Sequence, residues 1–262
     1  MERKYGWMPS PNDLRDFRAS SSATQVELPI GFTLLTKTIK DQGNVNSCVA
    51  HSLSSMLEYV DKNIYSTGWI YGYRPEGYYQ GEGMYPREAL NTLLKQGAVR
   101  QEDFPVNIEM QEAKNLVFKD LEKLSVEAED TKINSYARLY TIQEIKSWLY
   151  TKHIPVPISI ATERLELDEN NIIQIPSYYP NYGHMMLAIG WDEAGLIVQN
   201  SWGEDWGQNG TAILPYEYEI KEAWGVTYTE QQAEDIKKPA YYSIRKLIMI
   251  ILKFIKSLLK EK

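Results

Sequence analysis

Cys48 is the only cysteine of the 262-residue chain. It follows Gln42 by six positions in Asp41-Gln42-Gly43-Asn44-Val45-Asn46-Ser47-Cys48-Val49-Ala50, and far downstream come His184 and then Asn200-Ser201-Trp202-Gly203. These residue types make up one reaction: a thiol attacks a carbonyl, an imidazole moves the proton, an amide oxygen holds the ring, and a second amide donates to the oxyanion. One cysteine forms no internal disulfide and holds no metal by itself. The thiol is therefore an inert core group or a nucleophile, and its three companions favour the nucleophile. Of the three histidines, only His184 stands before an apolar strand and an Asn-Ser-Trp-Gly turn. His51 is read as a packing residue and His153 as a loop residue.

The elements that must position these groups follow from the spacing of apolar residues. Val49, Leu53, Met56, Leu57 and Val60 recur at helical intervals, and Asn46 or Ser47 can cap the helix, which puts the thiol in its first turn. There a helix N-terminus and an imidazolium lower a cysteine pKa from about 8.5 to roughly 3.5–7.5, so we expect a reactive thiolate. Residues 68–86, crowded with glycine and tyrosine, read as a surface loop. Pro86 opens a second helix with Ala89, Leu90, Leu93 and Leu94 on one face and Gly97 as its stop. Residues 108–127 and 141–150 read as further helices. Beyond Pro155 the pattern changes to short strands at 156–160, 185–191, 196–199 and 211–214. Helices first and strands second imply two packed lobes with a cleft between them, Cys48 on one wall and His184 on the other.

Composition narrows the function further. A net charge of −7 offers no broad field for a polyanion, which argues against nucleic-acid binding. Nineteen tyrosines and seven tryptophans against five phenylalanines suit a groove whose aromatic walls carry polar tips. The N-terminus has no apolar run of the length a secretory signal needs, and with no internal disulfide a reducing interior is the simplest setting. The expected location is cytoplasmic or virion-associated, or peripheral on a membrane. No metal and no cofactor is called for.

The motifs Gln42-Gly43 through Ser47-Cys48, then His184, then Asn200-Ser201-Trp202-Gly203 continuing to Trp206-Gly207-Gln208-Asn209-Gly210, resemble those of the papain-like cysteine peptidases, in a bacterial, archaeal or phage-type branch without disulfides. The resemblance covers roughly Leu28 to Trp224. It implies an α+β fold of two lobes, a helical N-terminal lobe and a β-barrel-like C-terminal lobe with the active-site cleft between them. It implies peptide-bond hydrolysis through a thioester acyl-enzyme, with Cys48 as nucleophile, His184 as general base and acid, Asn200 as orienter, Gln42 as oxyanion donor and Trp202 as a shield. Gly83-Met84-Tyr85-Pro86 looks like the family's substrate-binding segment. Gly83, Met84, Gly183 and Trp206 are the implied substrate contacts, with Met84 narrowing the pocket for the side chain two residues before the scissile bond.

The chain then divides into an extended leader at 1–27 that reads as a pro-segment, a peptidase domain at 28–225, a connecting segment at 226–242 and a cationic amphipathic helix at 243–262. The leader is too short for the family's large propeptide; its proline-punctuated character nonetheless suggests that it covers the cleft. The tail places Lys246, Lys253, Lys256 and Lys260 on one helical face, and a membrane surface or a partner protein are its alternative contacts. The same acyl-enzyme could also be resolved by an amine, giving a transpeptidase or a dedicated processing enzyme. A scaffold on a peptidase fold, tethered by the tail, is the non-enzymatic alternative. A polypeptide is the expected partner of the cleft.

Overall fold

In the computed structural model, which describes residues 4–13, 16, 26–35, 38–61, 63–74 and 81–228, the helices precede the sheet. The tail helix expected at 243–262 and most of the connecting segment lie outside the described residues. A short strand β1 (Phe32–Thr33) leads to α1 (Cys48–Asp61), α2 (Thr67–Gly72), α3 (Pro86–Lys95), α4 (Met110–Lys119) and α5 (Leu121–Ala128). Then follow β2 (Ser135–Arg138), α6 (Ile142–Lys152), β3 (Val156–Ala161), β4 (Gly183–Trp191), β5 (Gly195–Gln199), β6 (Thr211–Pro215) and β7 (Ile220–Thr227).

The strands pair antiparallel in the order β2-β7-β3-β4-β5-β6, with β1 added along β4. The outer strands β2 and β6 do not meet, so the lobe expected to be barrel-like is an open sheet. β4 is buried along its whole length because both its faces carry a core. Met185, Leu187 and Ile189 join α1, α2 and α3 in the helical-lobe core, while Met186 and Ala188 join Ile145 and Leu149 of α6. The period of two follows from the pleat. Ser52 of α1 donates its hydroxyl to the Met185 carbonyl at 2.9 Å, which fixes the helix against the strand one residue past His184.

Several elements depart from the pattern in the sequence. α2 stands where a loop is expected from residue 68, because its glycines serve packing: a Cβ on Gly68 would overlap the Pro105 carbonyl, and one on Gly72 the Ala113 carbonyl of α4. Ser66 starts that helix by accepting the Trp69 N–H at 3.1 Å. The stretch 108–127 is two helices broken at Asp120. β2 and β7 were not evident, since β7 carries Lys221, Glu222 and a glycine, Gly225, whose bare backbone lies against the Trp148 ring. α6 begins with a complete capping box of Thr141 and Glu144 and ends at His153 in the left-handed conformation, φ 56°.

His51 is a packing residue. Its ring is buried, with Nδ1 3.1 Å from Ser47 Oγ and Nε2 2.8 Å from Asn107 Oδ1. Burial pushes its pKa down to about 4; the contacts to Ser47 and Asn107 oppose that shift, Lys40 adds to it and Asp41 works against it. The unfolded chain therefore binds this proton at higher pH than the folded one. Stability falls as pH drops through about 6.5 toward 4, by on the order of 3 kcal/mol at full titration. His51→Gln should flatten that part of the plot of unfolding midpoint against pH, measured by calorimetry.

Candidate active site

The first residue of α1 is Cys48, the second of β4 is His184, and Asn200 directly follows β5. His184 Nε2 donates to Asn200 Oδ1 at 2.6 Å, and the same oxygen accepts the Ser201 N–H at 2.7 Å, so the amide cannot turn away. The Asn200 N–H is tied to the Gly210 carbonyl at 2.9 Å. Trp202 is buried with its ring centroid 4.7 Å from that of His184, and Trp206 meets it edge-on at 5.9 Å. This double indole cover keeps water from the imidazole–amide bond. The turn that permits it needs Gly203 at φ 80°, where its N–H reaches the Lys40 carbonyl at 3.0 Å.

Gln42 is completely buried. Its Oε1 accepts from Ser201 Oγ at 2.7 Å, which leaves Nε2 pointing to Val45 O at 2.8 Å and Lys4 O at 3.1 Å. Ser201 is thus the residue that sets the direction of the Gln42 amide. It was visible only as part of a motif, because nothing local in the sequence connects positions 42 and 201.

Residues 5–8 of the leader pack into the body of the protein, ahead of the domain start expected at residue 28. They run through the cleft as an extended segment between the lobes, bridged at Trp7. Trp7 exchanges both backbone hydrogen bonds with Gly183, at 3.1 and 3.3 Å, while Met84 donates to the Gly6 carbonyl at 2.8 Å and accepts from the Met8 N–H at 3.0 Å. The Gly6 N–H donates to Cys48 Sγ at 3.3 Å, and Tyr5 sets its ring edge against both His184 and Trp202. Gly6 has to be glycine here, since a Cβ would overlap the Asn46 carbonyl oxygen. Of the expected substrate contacts, Gly83, Met84 and Gly183 therefore all line the path of this segment, with Met8 where a Cβ on Gly83 would lie. Trp206 sits outside it, against Trp202.

This cover reverses the expected state of the thiol. Cys48 is buried, and loss of solvent pushes its pKa up to about 11, although backbone groups of Met185, Gly6, Val49 and Trp7 pull it the other way. The helix terminus expected to lower the pKa is present, but exclusion of water disfavours the charged form more strongly.

Two further residues, neither evident from sequence, hold the cleft and the segment in it. Arg74 is buried and donates to the carbonyls of Tyr71 (2.8 Å), Gly81 (2.9 Å), Glu82 (2.9 Å) and Gly83 (3.2 Å), so one guanidinium holds the three residues ahead of Met84. Glu222 of β7 is buried and accepts from Trp7 Nε1 (3.3 Å), Ser10 N (2.7 Å), Ser10 Oγ (2.9 Å), Arg138 Nη1 (2.8 Å) and Trp224 Nε1 (3.1 Å). Arg87 secures the segment farther along, through Asp16 and the Pro11 carbonyl. Among the described residues, no group of three or more His, Cys, Asp or Glu is arranged to hold a metal.

The chain is similar in fold to xylellain, a cysteine protease from Xylella fastidiosa, with a TM-score of 0.74 at 22% identity over 87% of this chain and 97% of that one. The cysteine protease CMS1MS2 of Carica candamarcensis matches with a TM-score of 0.58 at 16% identity, over 77% of this chain and 100% of that one. By sequence it is 30% identical over 131 residues to a viral cathepsin of Heliothis zea nuclear polyhedrosis virus, over 47% of this chain and 32% of that protein. It is 37% identical over 57 residues to an uncharacterized peptidase C1-like protein of Acanthamoeba polyphaga mimivirus, over 20% of this chain and 18% of that protein. The matched stretches thus span less than a third of each of these two curated relatives. The model of the papain family cysteine proteases matches residues 72–229, more than half of the chain, with His184 and Asn200 inside the match and Gln42 and Cys48 ahead of it. The chain belongs to the papain family of cysteine proteases.

Proposed function

We propose that the chain is a cysteine peptidase that hydrolyses peptide bonds of an extended polypeptide, with Cys48 as nucleophile. One observation carries this reading: the cleft holds a polypeptide backbone, hydrogen-bonded to Gly183 on one wall and Met84 on the other, with a backbone N–H on Cys48 Sγ and a carbonyl on Gln42 Nε2. A substrate needs the same main-chain contacts. Residues 4–10 act as a plug in the resting chain, and their departure readmits water and brings the thiol into the proton chemistry of His184.

In the open site, His184 takes the Cys48 proton and the sulfur bonds to the scissile carbonyl carbon, the π electrons moving to oxygen. The oxyanion accepts from Gln42 Nε2 and the Cys48 N–H at the start of α1. Collapse breaks the C–N bond, and His184 gives its proton to the leaving amine. Water then adds to the thioester with His184 as base, the C–S bond breaks, and the acid product leaves with the thiol restored. Asn200 Oδ1 keeps the ring oriented throughout.

The test offers a peptide library in ¹⁸O water to the full chain and to a Gly6→Ala chain, whose plug cannot seat. The expected result is cleavage with one ¹⁸O in each new carboxylate. Products capped by an amine would make the enzyme a transferase, and no cleavage by either chain overturns the reading. Gln42→Ala in the same assay should lower kcat by about 10²–10³, the worth of one oxyanion donor, with KM little changed. A KM effect alone would assign Gln42 to substrate binding.

A further inference from the structure

We propose that Asn107 is a positioning residue of the oxyanion site: its side-chain amide is a strut between the Asp41–Gln42 peptide and the start of α1, and it sets the spacing of the two oxyanion donors, Gln42 Nε2 and the Cys48 N–H. The proposal rests on the peptidase reading for the role of those donors, while the strut itself is a matter of geometry.

The two donors stand at opposite ends of a turn. Gln42 enters it and Cys48 leaves it as the first residue of α1. The outside of the turn is lightly braced: Asn44 is exposed, and a Cβ on Gly43 would meet no heavy atom of the described residues within 4 Å. Asn107 links its two ends. Its Nδ2 donates to the Asp41 carbonyl at 2.6 Å, and its Oδ1 accepts from His51 Nε2 at 2.8 Å. His51 is fastened in turn to the residue ahead of Cys48, its N–H donating to the Ser47 carbonyl at 2.9 Å and its Nδ1 lying 3.1 Å from Ser47 Oγ. One amide and one buried ring thus connect residue 41 to residue 47.

The peptide that Asn107 holds is the one that carries Gln42. The Asp41 carbonyl and the Gln42 N–H belong to a single planar group, and that N–H donates to the Ser201 carbonyl at 2.9 Å. A plane held at its carbonyl and at its N–H resists rotation, which places the Gln42 Cα. Ser201 Oγ then fixes the far end of the side chain at Oε1. Removing the Asn107 side chain takes away a hold on the carbonyl side, and an oxyanion donor works only within a few tenths of an ångström of its proper reach. Asn107 is itself exposed, so packing does not call for an amide at this position. Its φ of 53° lies in the left-handed region, which asparagine tolerates better than most residues.

The experiment is run in the Gly6→Ala chain. Asn107→Gly deletes the amide at a φ that suits glycine, and it should lower kcat about tenfold with KM little changed, part of the worth of a whole donor. In a chain that also carries Gln42→Ala the same substitution should cost about twofold at most, because the donor it positions is gone. Asn107→Asp keeps an acceptor for His51 but sets a carboxylate oxygen against the Asp41 carbonyl, so it should be no better than Asn107→Gly. Alkylation of Cys48 by iodoacetamide develops no oxyanion and should keep its rate in all these chains. Losses that add in the double variant, full activity in Asn107→Asp, or an equal loss in alkylation each overturn the proposal. A peptide nitrile separates the strut from the peptidase reading. The thiol adds across its C≡N bond, sulfur to carbon and proton to nitrogen, and the nitrogen lone pair takes the place of the oxyanion. Nitrile binding weakened about tenfold by Asn107→Gly, without peptide turnover by any chain, keeps the strut and removes the peptidase. Turnover that Asn107→Gly leaves unchanged removes the strut and keeps the peptidase.

Discussion

Cys48→Ala abolishes turnover, by on the order of 10⁶-fold, and with it all labelling by a thiol-directed epoxide. The size follows from the proposed cooperation of the site: in that mechanism no acyl-enzyme forms without sulfur, and His184, Asn200 and Gln42 would be left with nothing to activate or stabilise. The fold should survive the change. The sulfur lies at the start of α1, and alanine there removes a single buried atom whose contacts, such as that to the Gly6 N–H at 3.3 Å, are weak. The loss must therefore appear in kcat while the thermal midpoint stays within a few degrees. With no second cysteine in the chain, labelling of the Cys48→Ala protein would have to come from another type of nucleophile and would end the assignment. Measurements belong in both the parent and the Gly6→Ala background, so that a covered cleft is not mistaken for a missing nucleophile.

Gly6→Ala should raise activity in the chain. The added Cβ overlaps the Asn46 carbonyl oxygen, which is part of the backbone leading into α1 and has little room to move. The strain falls on the plug, whose seat depends on the neighbouring bonds of Gly6, Trp7 and Met8 to Met84 and Gly183. Apparent substrate affinity is reduced by the fraction of molecules whose cleft is open, so even a modest loss of plug stability shows directly: each 1.4 kcal/mol gives about tenfold. We expect at least that gain in kcat/KM, together with epoxide labelling that becomes faster by a similar factor. Opening also lowers the thiol from the covered value of about 11. The covered form holds the Cys48 proton more tightly, so raising the pH through the open-state pKa favours the open form, and the ratio of parent to variant labelling rates should rise with pH. If parent and variant are labelled equally fast at every pH, residues 4–10 do not gate the site.

What could be read from sequence was whatever lies close along the chain. The cysteine with its Gln42 lead, the helix behind it, and the Asn-Ser-Trp-Gly turn are each continuous, and helical or two-residue spacing reveals them directly. The strand boundaries at β3, β4, β5 and β6 fell within a few residues for the same reason. Relations between distant residues were hidden. Ser201 looks like a motif filler until it is seen to orient Gln42, and Glu222 looks like a surface charge in a polar stretch until Trp7 and Ser10 arrive from the other end of the protein. Glycine misled in α2, where it marks close helix packing in place of a loop.

The plug joins the two extremes of the described fold, since Trp7 is held by Gly183 of β4 and by Glu222 of β7. On the ribosome the plug emerges before its seat. When the plug is made it has no seat to fill, because Gly183, His184, Asn200 and Glu222 all come much later in the chain. Synthesis of β7 supplies the last anchor within a few dozen residues of His184 and Asn200, so in the proposed reading the site and its restraint are completed close together. A nascent chain of this design has little time in which to expose a working cleft to its own unfolded neighbours.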